Sequence, residues 1–173
     1  MKKAFMMLVL FIVPFALQAQ TKYHDVEAND AKGAVKSITS SRMGNPVSIT
    51  FTQDGKMQQE GMTDMVYDAD GYLQSAKMKV NGQGMEMELT FKYEWENGKV
   101  KSQSIDTQMG AFKTIYVYDD KGVLTKSVMD MGGQQMESPY SDYKFDDKGN
   151  WISRKTSMMG QEMEEQRKIE YYE

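Results

Sequence analysis

The sequence contains no cysteine and only one histidine, His24. Without cysteine there is no disulfide framework, thiol nucleophile, thiolate metal ligand or redox motif, so stability must come from core burial and strand pairing. A single histidine leaves almost no room for serine–histidine catalysis or for a histidine-based metal site. We therefore predict a protein that is not an enzyme and needs no cofactor, with His24 as a solvated residue.

The chain also lacks an excess of basic residues, with 21 Lys and Arg against 25 Asp and Glu. Setting aside Lys2 and Lys3 leaves 19 basic residues and a net charge near −6. Binding to phosphate backbones requires concentrated Lys and Arg. Nucleic acid is therefore excluded as a partner.

Only one long apolar run occurs, from residue 4 to residue 16, and it follows Lys2 and Lys3. Together with Leu17-Gln18-Ala19 it forms the pattern of a secretory signal peptide at residues 1–19, because the run is too short for a membrane span. No cysteine follows it, which argues against a lipoprotein anchor. We expect a periplasmic or extracellular protein with no membrane span. Residues 20–32 are predicted to be disordered or a short turn, and residues 33–173 to form one β-repeat domain.

The clearest local pattern is the alternation of apolar and polar residues from Met85 to Trp95. Period-two alternation is typical of a strand with one buried and one wet face. The last strand alternates less cleanly, because Glu165 and Arg167 interrupt an apolar row that includes Ile169. The rest of the chain contains further strand patterns and no apolar stripe at helical spacing.

Two kinds of glycine turn alternate along the chain and separate these strands. Both supply the backbone conformations that tight turns need. The sequence therefore predicts an all-β antiparallel meander of about 11–12 strands built from hairpin repeats, curled or barrel-like, with no substantial helix. The first kind, centred on Asp-x-x-Gly, Asp-Gly or Asn-Gly, lies at residues 30–33, 54–55, 68–71, 97–98, 119–122 and 146–149; the second lies at 43–44, 61, 81–82, 109–110, 132–133 and 159–160.

The aromatic-Asp-x-x-Gly unit occurs in its clearest form at residues 67–71, 118–122 and 145–149. These units resemble the tyrosine–aspartate (YD) repeats of the Rhs-type family, with Phe145 in place of tyrosine in the third. The resemblance implies β-hairpin repeats in an exported bacterial protein. It carries over no catalytic residues, because the repeat motif of that family is structural. Paired carboxylates such as Asp119-Asp120 lie within these turns, where a turn-forming role is favoured over catalysis or cation binding.

Methionine is abundant, with 17 residues, and two Met-x-Met pairs stand on strand patterns: Met85 with Met87, and Met129 with Met131. Thioethers are soft ligands that suit Cu(I). Methionine also fills irregular core space, and this interpretation is favoured in a chain without supporting cysteine or histidine. The two pairs are thus candidate metal ligands of second rank.

Several aromatic residues on the strand patterns are candidates for stacking on a sugar or gripping a peptide: Tyr93, Trp95, Tyr116, Tyr118 and Trp151. The alternative is that they are core residues and cross-strand pairs.

An apolar sheet face without a covering helix must curl on itself, pair with a second chain or hold an apolar ligand. An outer-membrane barrel is disfavoured, because residues 99–108 and 124–131 carry too much charge for a lipid-facing row. We predict an exported binding or scaffold module that recognises protein or glycan through an aromatic and Met-rich face. The alternative is a periplasmic carrier of a lipid tail or Cu(I) in the concavity of a curled sheet.

Overall fold

A computed structural model describes residues 22–42, 45–82, 85–107, 110–158 and 160–173. The predicted signal peptide, residues 1–19, lies outside these ranges, as do the turn residues Met43, Gly44, Met109 and Met159. Within the described ranges, no helix is long and apolar enough to cross a membrane.

The described part of the chain contains one short helix followed by twelve strands. The elements are α1 Asp25–Ala28, β1 Val35–Arg42, β2 Asn45–Phe51, β3 Met57–Gln58, β4 Met62–Tyr67, β5 Leu73–Gly82, β6 Met85–Glu96, β7 Lys99–Thr107, β8 Gly110–Tyr118, β9 Leu124–Asp130, β10 Gln135–Phe145, β11 Trp151–Met158 and β12 Gln161–Tyr171.

The strands form one twelve-stranded sheet in the order β3-β2-β1-β12-β11-β10-β9-β8-β7-β6-β5-β4. Every pairing is antiparallel, and β1 pairs with β12 through contacts such as Ile38 with Ile169. The break in the sheet lies between β3 and β4, which are consecutive along the chain and joined by residues 59–61. We call this break the seam. The predicted all-β antiparallel meander, curled into a nearly closed barrel, is confirmed.

The three clearest Asp-x-x-Gly turns share one hydrogen-bond pattern. In each of the three clearest copies the aspartate Oδ1 accepts the backbone N–H two and four residues on, at 2.8–3.1 Å. The aspartates are Asp68, Asp119 and Asp146. The preferred turn-forming role of these carboxylates is therefore confirmed.

One predicted turn is wrong in position. Asn81 and Gly82 are the last residues of β5 and pair with Glu86 and Met85 of β6. The ladder continues this far because the strands keep favourable cross-strand partners, such as Lys79 with Glu86 at 3.0 Å between Nζ and Oε1.

The two faces of the sheet differ in chemistry. The outward face carries cross-strand ion pairs with N···O distances of 2.8–3.3 Å: Lys77–Glu88, Lys79–Glu86, Lys92–Asp106, Lys101–Glu96, Lys113–Glu94, Lys126–Glu137 and Lys155–Asp142. The concave face carries apolar cross-strand rows, such as Met62, Met78 and Leu89 on β4 to β6, and Phe91, Ile105 and Phe112 on β6 to β8.

The tightest packing surrounds α1 at the end of the sheet that carries the Asp-x-x-Gly turns. A cluster of buried residues there joins the helix to β1, β2, β3 and β5: Val26, Ala31, Val35, Ile38, Phe51, Met57, Leu73 and Ala76. The opposite end has no such cluster among the described residues, and its concave side chains are only partly buried.

Candidate functional site

Residues 22–33 cross the Asp-x-x-Gly end of the concavity, and we call them the plug. The Tyr23 N–H donates to the Asp54 carbonyl at 3.0 Å, and the His24 N–H donates to the Gly71 carbonyl at 3.1 Å. On the opposite side, Lys32 N–H donates to Asn150 Oδ1 at 2.8 Å, and Asn150 Nδ2 donates back to the Lys32 carbonyl at 2.9 Å. Disorder was one prediction for residues 20–32. From residue 22 onward, this segment is instead hydrogen-bonded to both sides of the Asp-x-x-Gly end of the sheet.

His24 lies within this plug rather than on an open surface. Its ring stacks on Tyr72 with 3.9 Å between centroids, and its Nδ1 lies 3.7 Å from Glu27 Oε2. The described residues contain no group of three or more His, Asp or Glu side chains that could hold a metal ion.

Asp25 joins the two sides of the seam. Its Oδ2 accepts the backbone N–H of Met57 on β3 at 2.6 Å and the hydroxyl of Tyr67 on β4 at 2.7 Å. The side chain is fully buried, and its Oδ1 has no hydrogen-bond partner in the described part of the chain. Burial raises the pKa of Asp25, although the bonds from Met57 and Tyr67 act in the opposite direction. The Asp25 carboxylate therefore connects β3 and β4, which do not pair with each other.

Gly71 sets how closely the plug can approach the β4–β5 turn. Its φ is +89°, and a Cβ at this position would lie 1.8 Å from the Lys22 carbonyl oxygen. Gly33 has nearly the same φ, +88°, with no atom within 4 Å of its Cβ position. Both glycines would be strained by a side chain because of their positive φ, but only Gly71 makes a close contact with the plug. Comparing the two positions therefore isolates the effect of that contact.

We predict that Gly71→Ala lowers the free energy of unfolding by about 2 kcal/mol more than Gly33→Ala does, because the plug must move away from the turn. Urea unfolding of both variants measures this difference. Equal losses would mean that the close contact between Gly71 and Lys22 does not hold the plug.

Trp151 forms the centre of a second cluster, on β11 below the plug. The guanidinium carbons of Arg154 and Arg167 lie 4.0 and 3.8 Å from its ring centroid. Its Nε1 donates to Asp30 Oδ2 at 2.9 Å. Trp151 is 8% exposed, so an aromatic ring, two cations and the plug are packed together.

The two arginines have different partners. Arg154 Nε bonds Glu165 Oε2 at 2.7 Å, and its Nη1 lies 3.6 Å from Asp30 Oδ2. Arg167 instead donates to three backbone carbonyls, those of Trp151 at 2.6 Å, Asn29 at 2.9 Å and Asp30 at 2.7 Å. Burial lowers the pKa of Arg167 to about 10, while Asp30 acts to raise it. Both arginines are charged at neutral pH.

Two cavities lie beneath the plug, and both are lined by Asn29. The first has a volume of about 280 Å³, and we call it the apolar lobe after Met57, Met62, Met78 and Phe91 on its wall. The polar side chains of Asn29, Gln59 and Gln103 also line it. The second, the cationic lobe, has a volume of about 200 Å³ and is lined by Arg154, Arg167, Trp151, Glu165, Ile38 and Ile49. Each is smaller than the roughly 300–1,000 Å³ that is typical of small-molecule sites, so a ligand of that size would have to contact both lobes.

The five aromatic residues predicted to bind a ligand are divided between these lobes and the core. Tyr93 and Tyr116 line the apolar lobe, and Trp151 lines the cationic lobe. Trp95 Nε1 donates to the Leu73 carbonyl at 2.8 Å, and the Tyr118 hydroxyl donates to the Val100 carbonyl at 3.0 Å. The last two rings therefore support the sheet from within.

The two predicted Met-x-Met pairs lie on different strands that do not touch. Met87 is on β6 and Met129 on β9, with β7 and β8 between them, which separates the pairs by about 14 Å at ordinary strand spacing. Met131 follows the end of β9 and is exposed, and the side chain of Met85 is outside the described part. The structure does not bring the two pairs together.

The sequence reasoning missed Asp25, Arg154 and Arg167 as site residues. Arg167 carried a detectable signal, because it interrupts an apolar row on the last strand and a buried charge needs a specific reason. Asp25 carried none, since its partners on β3 and β4 are set by the curl of the sheet.

No family model matches the sequence, and no curated protein matches it at a significant level. Among solved structures, the chain is similar to a porin-like protein from Bacteroides uniformis, with 17% sequence identity and a TM-score of 0.35. The match covers 75% of this chain and 48% of that one, so the chain spans about half the length of the porin-like protein. The function is therefore inferred from the residues of the site alone.

Proposed function

We propose that this protein is an exported, non-catalytic binding protein that holds an apolar molecule on the concave side of its sheet. The observation that carries the proposal is the apolar lobe, whose thioether and aromatic groups come from neighbouring strands. The predicted aromatic and Met-rich recognition face is thus assigned to the inside of the curl.

The concave side chains near the lobe are suited to an adaptable apolar ligand. Methionine is unbranched and polarizable, so it fits partners of different shape. Some apolar residues at the end opposite the plug remain open to solvent, including Val47 at 53% and Met87 at 36% exposure. Exposed apolar surface of this kind commonly marks a binding site.

The outward face of the sheet is more highly charged than the concave side. It is lined by lysine–carboxylate pairs, such as Lys92–Asp106 and Lys113–Glu94. Exposed pairs contribute little to stability, and a hydrocarbon environment would penalise their charges. The outward face also exposes Ile115, Val117 and Ile152, but these are interspersed with charged pairs. The concave side is therefore the better place for an apolar ligand.

Of the two ligand classes considered for a carrier, the geometry favours an apolar molecule over Cu(I). A copper site needs several soft ligands around one point, whereas the two methionine pairs are separated by β7 and β8. An apolar molecule needs only contact area, which the rows on β4 to β8 supply.

We predict that the neutral fluorescent probe N-phenyl-1-naphthylamine binds the purified protein, and that Met78→Lys weakens this binding about tenfold or more by placing a charge in the apolar lobe. Fluorescence titration measures both affinities. Native mass spectrometry of protein from its own host should also show a bound small molecule.

The matched control is Thr90→Lys, because Thr90 lies on the outward face of β6 next to Asp106 and faces away from the lobe. This variant should bind the probe as the unmodified protein does. Absence of probe binding to the unmodified protein, or equal affinities for Met78→Lys and Thr90→Lys, would contradict the proposed function.

A further inference from the structure

The cationic lobe contains a buried arginine whose charge is not matched by a contacting carboxylate. Arg167 is 6% exposed, and the described residues give it three bonds, all to neutral backbone carbonyls. A guanidinium carries five N–H groups. Since Nε, Nη1 and Nη2 each use one hydrogen in these bonds, Nη1 and Nη2 each retain a second.

Of the two arginines in this cluster, Arg167 is the one that can accept an anionic ligand, because the neighbouring carboxylates contact Arg154. The carboxylates of Glu165 and Asp30 both lie against Arg154, at 2.7 and 3.6 Å. The charges of Asp30 and Asp146 also act on Arg167, but among the described residues neither carboxylate forms an ion pair with it. Taking a guanidinium out of water is costly unless an opposite charge or hydrogen bonds compensate it. An anionic group beside Arg167 would therefore be attracted more strongly than at the surface, where water screens charge.

The lobe around Arg167 contains both apolar and uncharged polar side chains. Ile38 and Ile49 line it beside Ser40, Ser41 and Gln166. Asn29 lines both this lobe and the apolar lobe. A molecule with one charged end and one apolar end could thus place its charge at Arg167 and its tail toward the methionine and phenylalanine side chains of β4 to β6.

We infer that the ligand is an anionic amphiphile with a single negative headgroup, such as a long-chain carboxylate, and that Arg167 binds the headgroup. This inference rests on the proposed function and names the ligand class for that same site. A headgroup with one charge suits the lobe better than one with two, because Glu165 and Asp30 lie close by and repel added negative charge.

The first test compares ligands on the unmodified protein. Dodecanoate and dodecyltrimethylammonium share a chain length and differ in the sign of their charge, and displacement of N-phenyl-1-naphthylamine reports the affinity of each. We expect dodecanoate to bind at least about tenfold more tightly, as a charge-assisted hydrogen bond implies. Equal affinities would overturn the inference while leaving the proposed function standing, whereas failure of the probe itself to bind would remove both.

The second test uses variants of β12. Arg167→Met should weaken dodecanoate binding about tenfold and reduce the ratio between the affinities for dodecanoate and 1-dodecanol. Lys168→Met is the matched control, because Lys168 is the next residue on the strand and points outward to Glu170. Unchanged dodecanoate binding by Arg167→Met would assign this arginine to anchoring the plug alone. If Arg167→Met does not fold, the comparison of ligands on the unmodified protein decides.

Discussion

Trp151→Ala is expected to lower the free energy of unfolding by about 3–5 kcal/mol, the usual cost of emptying a buried aromatic site. The substitution removes the aromatic ring that the guanidinium groups of Arg154 and Arg167 both contact. It also removes the bond from Nε1 to Asp30. Urea unfolding followed by circular dichroism measures the loss.

The control for this prediction is the next residue along β11. Ile152 lies on the outward face and is 37% exposed, so Ile152→Ala should cost less than about 1 kcal/mol. A comparable loss in both variants would mean that the Trp151 cluster contributes no special stability. The prediction also shows why Trp151→Ala is a poor probe of ligand binding, since the variant would lose structure along with the ring.

Asp25→Ala is expected to lower the free energy of unfolding by about 3 kcal/mol, because it removes the acceptor of the buried Met57 N–H and of the part-buried Tyr67 hydroxyl. These donors lie on opposite sides of the seam, so hydrogen exchange should increase in β3 and β4 first. Asp120→Ala, in an exposed turn, should change the stability by no more than about 0.5 kcal/mol. Matching losses at the two positions would contradict a bridging role for Asp25.

The pH dependence of the free energy of unfolding provides a second test of Asp25. Burial raises the pKa of Asp25 above its ordinary value of 3.8, so the folded state favours the protonated form. The contribution that the raised pKa of Asp25 makes to the free energy of unfolding is fully present below about pH 3.8. It is lost as the pH rises through the pKa of Asp25 in the folded protein. Asp25→Asn cannot titrate, so the stability of the unmodified protein relative to this variant should fall as the pH rises above about 4. A constant difference would contradict the raised pKa.

The strands were predictable because the information for them is local. Alternation from Met85 to Trp95 becomes β6, and the Asp-x-x-Gly turns appear between strands with the hydrogen bonds that their aspartates predict. The total of about 11–12 antiparallel strands follows from counting such patterns.

The site was less predictable because its contacts join residues far apart in the chain. Asn29 and Asp30 meet Arg167 only because β1 pairs with β12. The plug contains no periodic pattern and only a four-residue helix. Local sequence patterns therefore could not predict that it crosses the end of the sheet. The aromatic residues were identified correctly as a group, but which of them face a cavity and which bond the backbone depends on the curl of the sheet.

The pairing of β1 with β12 also affects the order in which the chain can fold. The plug and β1 are synthesised before the other strands, yet one main partner of both, β12 with its Arg167, is synthesised after all the other strands. A growing chain normally forms native contacts from its N-terminal side, but here the sheet cannot close until residues 161–171 are available. Contacts of such long sequence separation slow folding. Neighbouring strands from β4 to β11 can pair as soon as they are made, so closure of the concave side is the last step open to the chain.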